Sequence, residues 1–457
     1  MTLLADIVAR LAQIETLPAP VERVALLHLT DAIGVGHAAA GTAIGAPWRR
    51  HGASVAQGGA ASVFGQPQGA APADAALVNG GLIHSLEYDD THTGSIVHGS
   101  AVLAPAALAA AEAAGASGAA LIRSYALWYE VMIRLGIASA GGFQNRGFQL
   151  TSVGGALCAA GIAAELRGLG APGQVAAIGI ALSQASGVFE FLTNGSTVKS
   201  MHPGWAAHAG LIAADLAAAG ITGPETALEG RFGLFRVFAG DEDAAARLAP
   251  LIADLGQVWH LERAAYKFFP CCHYIHPFLE GVERLAAQGL AADSVDWIDF
   301  GVPAGAASII CEPWEAKCAA QGHSARWSLP VTAAMWLVDA EVTLDSFERP
   351  ASPGVHALAA RMRWSVLQDS RFPDRFDACI RAGLRDGRVI EVRVDDVYGN
   401  ASRPPGAADV MSKFTANLAR LAGPAQADAL TRALEGLPNA TGLAGLSGAL
   451  RAISGKA

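Results

Sequence analysis

The chain has 457 residues, of which 52% are hydrophobic and 16% charged, and its formal net charge is −9. This length exceeds one typical hydrophobic core and predicts two domains. The negative charge argues against nucleic acid or an anionic membrane as a partner. The most apolar stretch, 101–122, consists largely of alanine and contains Pro105 and Glu112. Alanine contributes little transfer free energy, so we expect no membrane span.

The N-terminus and the cysteines indicate where the protein works. Residues 1–10 carry an early aspartate and no basic leader, which favours an amphipathic helix over a signal peptide. The six cysteines show no repeated spacing typical of a metal site, and Cys271 and Cys272 are adjacent. Free thiols in a reducing cytoplasm are therefore the expected setting.

Helical patterns dominate the first 265 residues. Apolar residues recur at spacings of three and four, or alanine fills the segment. The predicted helices cover 3–13, 20–40, 73–90, 103–116, 118–138, 151–168, 174–188, 205–219 and 242–254.

The pattern changes beyond residue 265. Alternation predicts strands at 296–303 and 360–367, and Asp386-Gly387 predicts a hairpin between 376–385 and 388–394. Further helices are predicted at 276–288, at 328–339, and from about 407 to the end. The expected fold is mainly α, with a large helical domain formed by both chain ends and a smaller α+β domain. The predicted boundaries are 1–265 and 401–457 for the large domain, and 266–400 for the small one.

Residues 84–100 are the best candidate for the site of chemistry. Three of the 13 histidines and three carboxylates fall within this stretch of a weakly charged chain. Such a density of polar groups is costly to bury among apolar helices unless the groups have a function. The alternative is a helix end with capping and salt-bridging residues. The carboxylates and histidines are Glu87, Asp89, Asp90, His84, His92 and His98.

Lysine use is the second informative feature, since only Lys199, Lys267, Lys317, Lys413 and Lys456 stand among 32 basic residues. Lys199 precedes a Pro-Gly break and a helix start, which suits an anion site. Lys267 lies at the predicted domain boundary, where ligand clefts form. The alternatives are a solvated loop lysine for the former and a linker lysine for the latter.

Several reaction classes lack their signatures. No Walker A pattern occurs and no GxGxxG pattern follows a predicted strand, which argues against a nucleotide cofactor, and no GxSxG elbow suggests a serine hydrolase. Asp90, His92 and His98 offer metal ligands, but their spacing matches no known metal motif, so we expect no metal. Acid–base chemistry by histidine and carboxylates remains, with lysines holding an anionic substrate.

The motifs resemble those of the MmgE/PrpD family. The matching segments, in the same order from about residue 20 to 425, are Asn79-Gly80, His84 to Thr91, His98-Gly-Ser100, 105–108, 147–152, Lys199, His202 to Gly204, and Lys267 to Cys271. That family includes 2-methylcitrate dehydratase and related decarboxylases and epimerases. The resemblance implies a large all-α domain, an α+β lid, a homodimer, a site between the domains, and no metal or organic cofactor.

The resemblance also implies a set of site residues. Thr91, His98, Lys199 and Lys267 match active-site positions, and Glu87 stands where the decarboxylases usually have aspartate. Asp90 and Glu87 are expected to orient a histidine or Thr91, or to share the acid–base work. The predicted catalytic residues are thus His98, Lys199, Lys267, Asp90, Thr91 and Glu87, and the predicted substrate-binding residues are Gln149, Ser100, His202 and His273.

Three departures from the family pattern concern proton donors and the chain around them. Gln149 replaces a common histidine, and Gly99 follows His98 where proline is usual. The tyrosine that the decarboxylases carry near 306–312 is missing. An amide does not titrate near neutrality, so the substrate of the decarboxylases does not transfer directly.

The leading hypothesis is a cofactor-independent lyase that eliminates water from a small di- or tricarboxylate, as 2-methylcitrate dehydratase does. The proton α to a carboxylate would pass to His98, and lysines would stabilise the enediolate charge. An isomerase or epimerase comes second and a decarboxylase third. From another class, the chain is a catalytically weakened carboxylate-binding homologue.

Replacing Lys199 tests the predicted anion site. Lys199→Ala should weaken substrate binding or turnover about tenfold to a hundredfold, since a charge-assisted hydrogen bond in a cleft contributes roughly 1.5–3 kcal/mol. Steady-state kinetics of the folded variant measure this loss. Wild-type kinetics would show that Lys199 is a solvated loop residue.

Overall fold

A computed structural model describes residues 1–193 and 196–454, which form two compact units. The first unit contains 1–85, 89–264 and the described residues from Gly406 onward. The second contains Leu86–Tyr88 and Ala265–Pro405. Lys456 and the Asn194-Gly195 pair before Lys199 lie outside the described residues.

Helices make up most of the first unit, and the second combines shorter helices with one small sheet. The mainly α fold predicted from periodicity is confirmed. The helices are α1 (Leu3–Gln13), α2 (Ala19–Ala40), α3 (Ala46–Val55), α4 (Pro72–His84), α5 (Gly99–Ala114), α6 (Gly118–Ser139), α7 (Gly142–Asn145), α8 (Leu150–Leu166), α9 (Ala171–Leu182), α10 (Met201–Ala218), α11 (Ala244–Ala253), α12 (His276–Ala286), α13 (Ala304–Ile310), α14 (Trp314–Cys318), α15 (Gly322–Ala325), α16 (Leu329–Asp339), α17 (Pro353–Ala359), α18 (Ala407–Leu418), α19 (Pro424–Glu435) and α20 (Ala444–Ala452).

One predicted helix is longer than the observed helix, and the difference falls in the polar segment 84–100. The helix predicted over 73–90 ends at His84, and the chain beyond it is irregular. Glu87 takes the left-handed conformation, with φ of 53°, which an α-helix does not accommodate. Short polar side chains here also hydrogen-bond outside a helical ladder. The polar segment is therefore a buried loop between α4 and α5.

Close packing of helices fixes where that loop begins. Helix α10 packs against α4 and α8. A side chain at Gly80 would lie 2.6 Å from the Cα atom of Gly204, and one at Gly204 would lie 2.2 Å from the carbonyl oxygen of Leu77. Only glycine permits this approach. Two glycines of the family motif therefore set the spacing of α4 and α10.

The C-terminal segment is tied to the first unit by a buried ion pair. The Lys413 ammonium lies 2.9 Å from Asp31 Oδ1 and 3.0 Å from Oδ2, and α18 packs on α2. Both side chains are almost fully buried. Breaking one partner of such a pair leaves an uncompensated charge, so Lys413 has a structural role.

The second unit is built on a four-stranded sheet with the strand order β2-β1-β3-β4. Strand β1 (Val295–Val302) is parallel to β2 (Met362–Val366) and antiparallel to β3 (Ala378–Leu384). Strand β4 (Val389–Val394) completes the predicted hairpin with β3. Gly387 in the turn has φ of 88°, as the Asp-Gly signal requires. The strand and hairpin predictions are confirmed.

The structure also describes the state of the cysteines and the apolar character of the helices. All six cysteines are free thiols. No helix within 1–193 and 196–454 combines the length and the apolar character that a bilayer crossing needs.

Histidine burial in the first unit predicts acid sensitivity. His37 is fully buried, its ring centroid 4.6 Å from that of Phe64, and burial lowers its pKa to about 4. The unfolded chain therefore binds a proton near pH 6.5 that the folded chain does not bind until about pH 4. The free energy of unfolding should fall by up to about 3 kcal/mol across this window as pH decreases. His37→Gln should flatten the decrease.

Urea unfolding at pH 7 and pH 4.5 measures this contribution. His51→Gln, at an exposed position, serves as the control and should keep the wild-type dependence on pH. If the free energy of unfolding decreases equally in His37→Gln and in the wild type, His37 is not the source of the acid sensitivity.

Candidate active site

The backbone of the 85–98 loop is held by hydrogen bonds at its end. The His92 amide donates to the Val97 carbonyl at 2.9 Å, which closes a short turn. The His98 amide donates to Thr151 Oγ1 at 3.0 Å, in the first turn of α8. His98 then stands immediately before α5. Its position is therefore set by three elements rather than by a free loop.

Asp89 is the centre of the cluster. Its Oδ2 atom lies 2.9 Å from His84 Nδ1 and 3.2 Å from His98 Nδ1. The two imidazole rings are edge to face, with centroids 4.8 Å apart. Asp89 and His84 are fully buried, whereas 16% of the His98 side chain is exposed. Of the two rings, His98 is thus the one that a ligand in solution can reach.

A second contact supports the placement of His98. Thr91 Oγ1 lies 3.2 Å from the same nitrogen, Nδ1, that faces Asp89. A carboxylate accepts hydrogen bonds and cannot donate them, so the Asp89 contact favours the tautomer with the proton on Nδ1. In that tautomer the Nε2 atom of His98 carries the lone pair. This is the arrangement that a general base requires.

Gln149 extends the cluster on the other side of His84. Its Oε1 atom accepts from His202 Nδ1 at 2.6 Å, and its Nε2 atom lies 3.4 Å from His84 Nε2. His84 donates from Nδ1 to Asp89, so its Nε2 atom is an acceptor for the amide. The donors therefore run in one direction, from His202 through Gln149 and His84 to Asp89.

The Gln149 side chain does not cap α8, although the residue stands immediately before that helix. It is buried between two histidines instead. Burial, together with the charges of His84 and Lys199, lowers the pKa of His202 to about 4. His202 is therefore neutral at pH 7. The interpretation of Gln149 as a mere helix cap is wrong.

Asp90 points into a different set of contacts. Its Oδ2 atom accepts hydrogen bonds from Ser100 Oγ and, at 3.0 Å, from Tyr129 OH. The same atom lies 2.9 Å from His28 Nδ1. The Ser100 hydroxyl also lies 2.6 Å from Tyr125 OH. Burial and the Asp90 charge hold the pKa of Tyr129 well above its usual value, so the phenol stays a donor. The side chains of Asp90 and Ser100 are thus hydrogen-bonded to other groups of the protein.

The metal ligands considered from the sequence do not converge. His92 turns its Nδ1 atom to Ser95 Oγ at 2.8 Å, and its ring faces His260 at 6.4 Å. Asp90 is engaged as described above. A different triplet, His84, Asp89 and His98, offers one ligand atom each within 4.8 Å of one another. The set of Asp90, His92 and His98 is therefore wrong, because the loop turns His92 away.

The lysines divide into different roles. Lys199 is half-buried in a 3₁₀ turn (Thr197–Ser200) that runs directly into α10. Lys317 donates to the carbonyls of Ile309 and Trp327 at 2.6 and 2.9 Å, and is structural like Lys413. Lys199 therefore precedes a helix, as its sequence context predicted.

Lys267 belongs to the second unit and is fully buried. Its Nζ atom lies 3.9 Å from Glu87 Oε2, beyond hydrogen-bond distance. Glu87 thus lies beside Lys267 in the second unit, and its expected role in orienting a histidine or Thr91, or in sharing the acid–base work, stays a prediction. The buried Arg326 guanidinium donates to the carbonyls of Leu86 and Pro270 in the same unit.

The remaining predicted residues have clear surroundings. His273 packs in the second unit against His276 and Phe376, with both centroid distances 4.8 Å.

At Gly99, a side chain would lie 2.0 Å from Cε2 of Tyr129, which binds Asp90. The tyrosine thus explains why glycine stands where relatives carry proline. Residues 306–312 include no phenol.

Two central residues were missed as site residues. Asp89 and His84 lie in the motif 84–100, but of the two aspartates only Asp90 was among the predicted catalytic residues. A signal existed: Asp89 follows His84 by five residues and precedes His98 by nine, so a turn brings it between them. Which of two adjacent aspartates faces inward depends on the loop conformation, however, and periodicity does not predict that.

The fold and the cluster define a mainly helical protein with a buried histidine–carboxylate cluster. The model of the MmgE/PrpD N-terminal domain matches residues 2–247, and that of the C-terminal domain matches 269–437. The chain therefore belongs to the MmgE/PrpD family, as the motifs predicted.

Its curated relatives include cis-aconitate decarboxylases. One from Aspergillus terreus is 30% identical over 236 residues, and the match spans 50% of this chain but only 48% of that relative. The human enzyme is 29% identical over 377 residues, 79% of this chain and 76% of the relative. The mouse enzyme is 28% identical over 418 residues, 86% and 81% respectively.

Introducing the family's usual histidine at Gln149 tests the burial of this position. Gln149→His should add one titrating imidazole with a pKa below the ordinary value near 6.5, because burial penalises the charged ring. Side-chain NMR of labelled histidine measures the midpoint. Gln149→Asn is the matched control and should add no titration. A midpoint at the ordinary value would place the side chain in solvent.

Proposed function

We propose that the protein is a lyase that eliminates water from a small di- or tricarboxylate, using its own side chains and no metal or organic cofactor. The reaction begins with abstraction of the proton α to a carboxylate. We assign this step to His98, with Asp89 as the residue that positions it. The homodimer implied by the family resemblance stays a prediction.

The observation that carries this proposal is the shared carboxylate of Asp89. Its Oδ2 atom lies 2.9 and 3.2 Å from Nδ1 of the two rings, which favours the His98 tautomer with its proton on Nδ1 and its lone pair on Nε2. The 16% exposure of the His98 side chain gives a substrate access to the ring. Thr91, at 3.2 Å from Nδ1, helps to hold the ring and is a positioning residue.

The cations suit an anionic substrate. Lys199 is half-buried, and its turn leads into the first turn of α10, where unpaired backbone amides add positive partial charge. We assign it to a substrate carboxylate. Lys267 is buried with its ammonium 3.9 Å from the nearest carboxylate oxygen, and a buried ammonium needs closer compensation. The proposal that Lys267 also binds a carboxylate rests on the family resemblance.

The proposed steps conserve atoms and charge. His98 Nε2 takes the α proton, and the electron pair of the C–H bond moves into the enediolate of the adjacent carboxylate. Positive charge on Lys199 stabilises that anion. The electron pair then forms the double bond while the hydroxyl group on the neighbouring carbon takes the proton from His98 Nε2 and leaves as water, which restores the neutral imidazole.

Asp90 and Ser100 take a structural part in this proposal. Their contacts with Tyr125, Tyr129 and His28 occupy the carboxylate and the hydroxyl. Asp90 fixes the start of α5, since its Oδ1 atom accepts from the Ser100 amide at 3.2 Å. It therefore supports His98 through the backbone rather than through a proton transfer.

Decarboxylation is the second candidate, because curated relatives of this chain are cis-aconitate decarboxylases. In that reaction the C–C bond to a carboxylate breaks, CO₂ leaves, and the carbon gains a proton. Gln149 and the absence of a tyrosine near 306–312 reduce the number of proton donors for it. Isomerisation needs only the first step, followed by return of the proton to another face or carbon.

Proton exchange in heavy water tests the first step without knowledge of the product. The enzyme should exchange one carbon-bound proton of at least one polycarboxylate in a panel of citrate-, aconitate- and succinate-type acids, followed by NMR. His98→Gln should lower the rate about a hundredfold to ten-thousandfold, which is the usual contribution of a general base. The product formed at longer times distinguishes dehydration, decarboxylation and isomerisation.

The matched control is His92→Gln, a buried histidine of the same loop that turns towards Ser95. It should keep the wild-type exchange rate. Thermal stabilisation by a polycarboxylate with no exchange or turnover in any of them would contradict the enzymatic proposal. That result would favour the carboxylate-binding homologue.

A further inference from the structure

We propose that His84, Asp89 and His98 form a binding site for a zinc-like divalent transition metal ion, and that occupation of this site inhibits the enzyme. Its inhibitory part rests on the proposed function, whereas the binding part does not. The ion would be a regulator or inhibitor and takes no part in turnover.

The ligand set and its spacing suit zinc. Two imidazole nitrogens and one carboxylate oxygen are the donors of three-residue zinc sites, which leave a fourth position for water. Ligands at about 2.0 Å from a tetrahedral ion are separated from one another by about 3.3 Å. Asp89 Oδ2 lies 2.9 and 3.2 Å from the two Nδ1 atoms, so two of the three edges already have nearly this length.

The surroundings provide access to the cluster. The partly exposed ring of His98 gives an ion a route to it, while His84 and Asp89 are buried. The amide nitrogen of Gln149 lies 3.4 Å from Nε2 of His84, the nitrogen that does not face Asp89. Once Nδ1 of His84 binds the ion, Nε2 carries the proton, so the Gln149 amide would have to turn its oxygen from His202 to His84. Contacts of this kind orient the ligating histidines in metal sites.

Occupation would remove the base. A metal ion at Nδ1 of His98 takes the place of the proton that Asp89 now accepts. The neutral imidazole then carries its single proton on Nε2, the atom assigned to proton abstraction. The bound ion thus converts the base into a donor, without any change in the fold.

Binding is measured on the full chain without substrate. We expect one equivalent of Co²⁺ or Zn²⁺ per chain by equilibrium dialysis. The Co²⁺ visible spectrum should be that of nitrogen and oxygen ligands. Its proton NMR spectrum should show two hyperfine-shifted, exchangeable signals from Nε2–H of two imidazoles. A thiolate charge-transfer band, or the absence of these signals, would assign the ion to the free cysteines and overturn the site.

Variants locate the site independently of the spectrum. Asp89→Asn and His84→Gln should each weaken binding by at least about tenfold to a hundredfold, the usual loss for a disturbed metal site. His51→Gln removes an exposed histidine elsewhere and should bind as wild type. Unchanged affinity in a folded Asp89→Asn or His84→Gln variant would overturn the proposal. The wild-type NMR signals decide the question if both variants fail to fold.

Inhibition is measured by proton exchange with free Zn²⁺ set by a metal buffer, because polycarboxylates themselves chelate zinc. Exchange should be full after EDTA treatment and should fall with the occupancy found by dialysis. Loss of exchange in EDTA with recovery on adding zinc would overturn the inhibitory role and make the ion a cofactor. Full exchange at full occupancy would also overturn it. If no polycarboxylate exchanges at all, the proposed function fails while the binding result stands.

Discussion

One buried carboxylate oxygen, Oδ2 of Asp89, lies 2.9 Å from His84 Nδ1 and 3.2 Å from His98 Nδ1. A buried carboxylate is costly unless nearby groups compensate its charge, and here the Nδ1 atoms of two imidazoles face it. The same contacts decide which nitrogen of each ring carries the proton. Compensation of one buried charge and orientation of the His98 ring therefore depend on the same contacts.

The two adjacent aspartates of the loop divide the work because their side chains leave the backbone in different directions. Asp89 faces the histidines, and Asp90 faces Ser100, Tyr129 and His28. The second set anchors the start of α5 and the residue after His98. Gly99 belongs to this arrangement, since a larger residue would overlap Tyr129. The base is thus positioned by one aspartate and its backbone by the other.

Gln149 shows how a departure from the family pattern is absorbed. An amide offers one acceptor and one donor group, and it uses them on His202 and His84 respectively. A neutral His202, with its pKa near 4, suits this pairing because it adds no charge to the buried cluster. The consequence is a chain of fixed proton positions where relatives carry one more titrating ring.

The sequence by itself determined the class of fold, the family and the segment that holds the cluster. Those depend on local periodicity, on turn residues such as Asp386-Gly387, and on motifs that stay recognisable without coordinates. It did not determine which aspartate faces the histidines, that His92 turns away, or that Glu87 lies beside Lys267. These outcomes depend on loop dihedral angles and on contacts between residues far apart in the chain, such as Thr151 with His98. Only the tertiary structure decides those, because a buried polar group takes whichever partners the packed helices bring within hydrogen-bond distance.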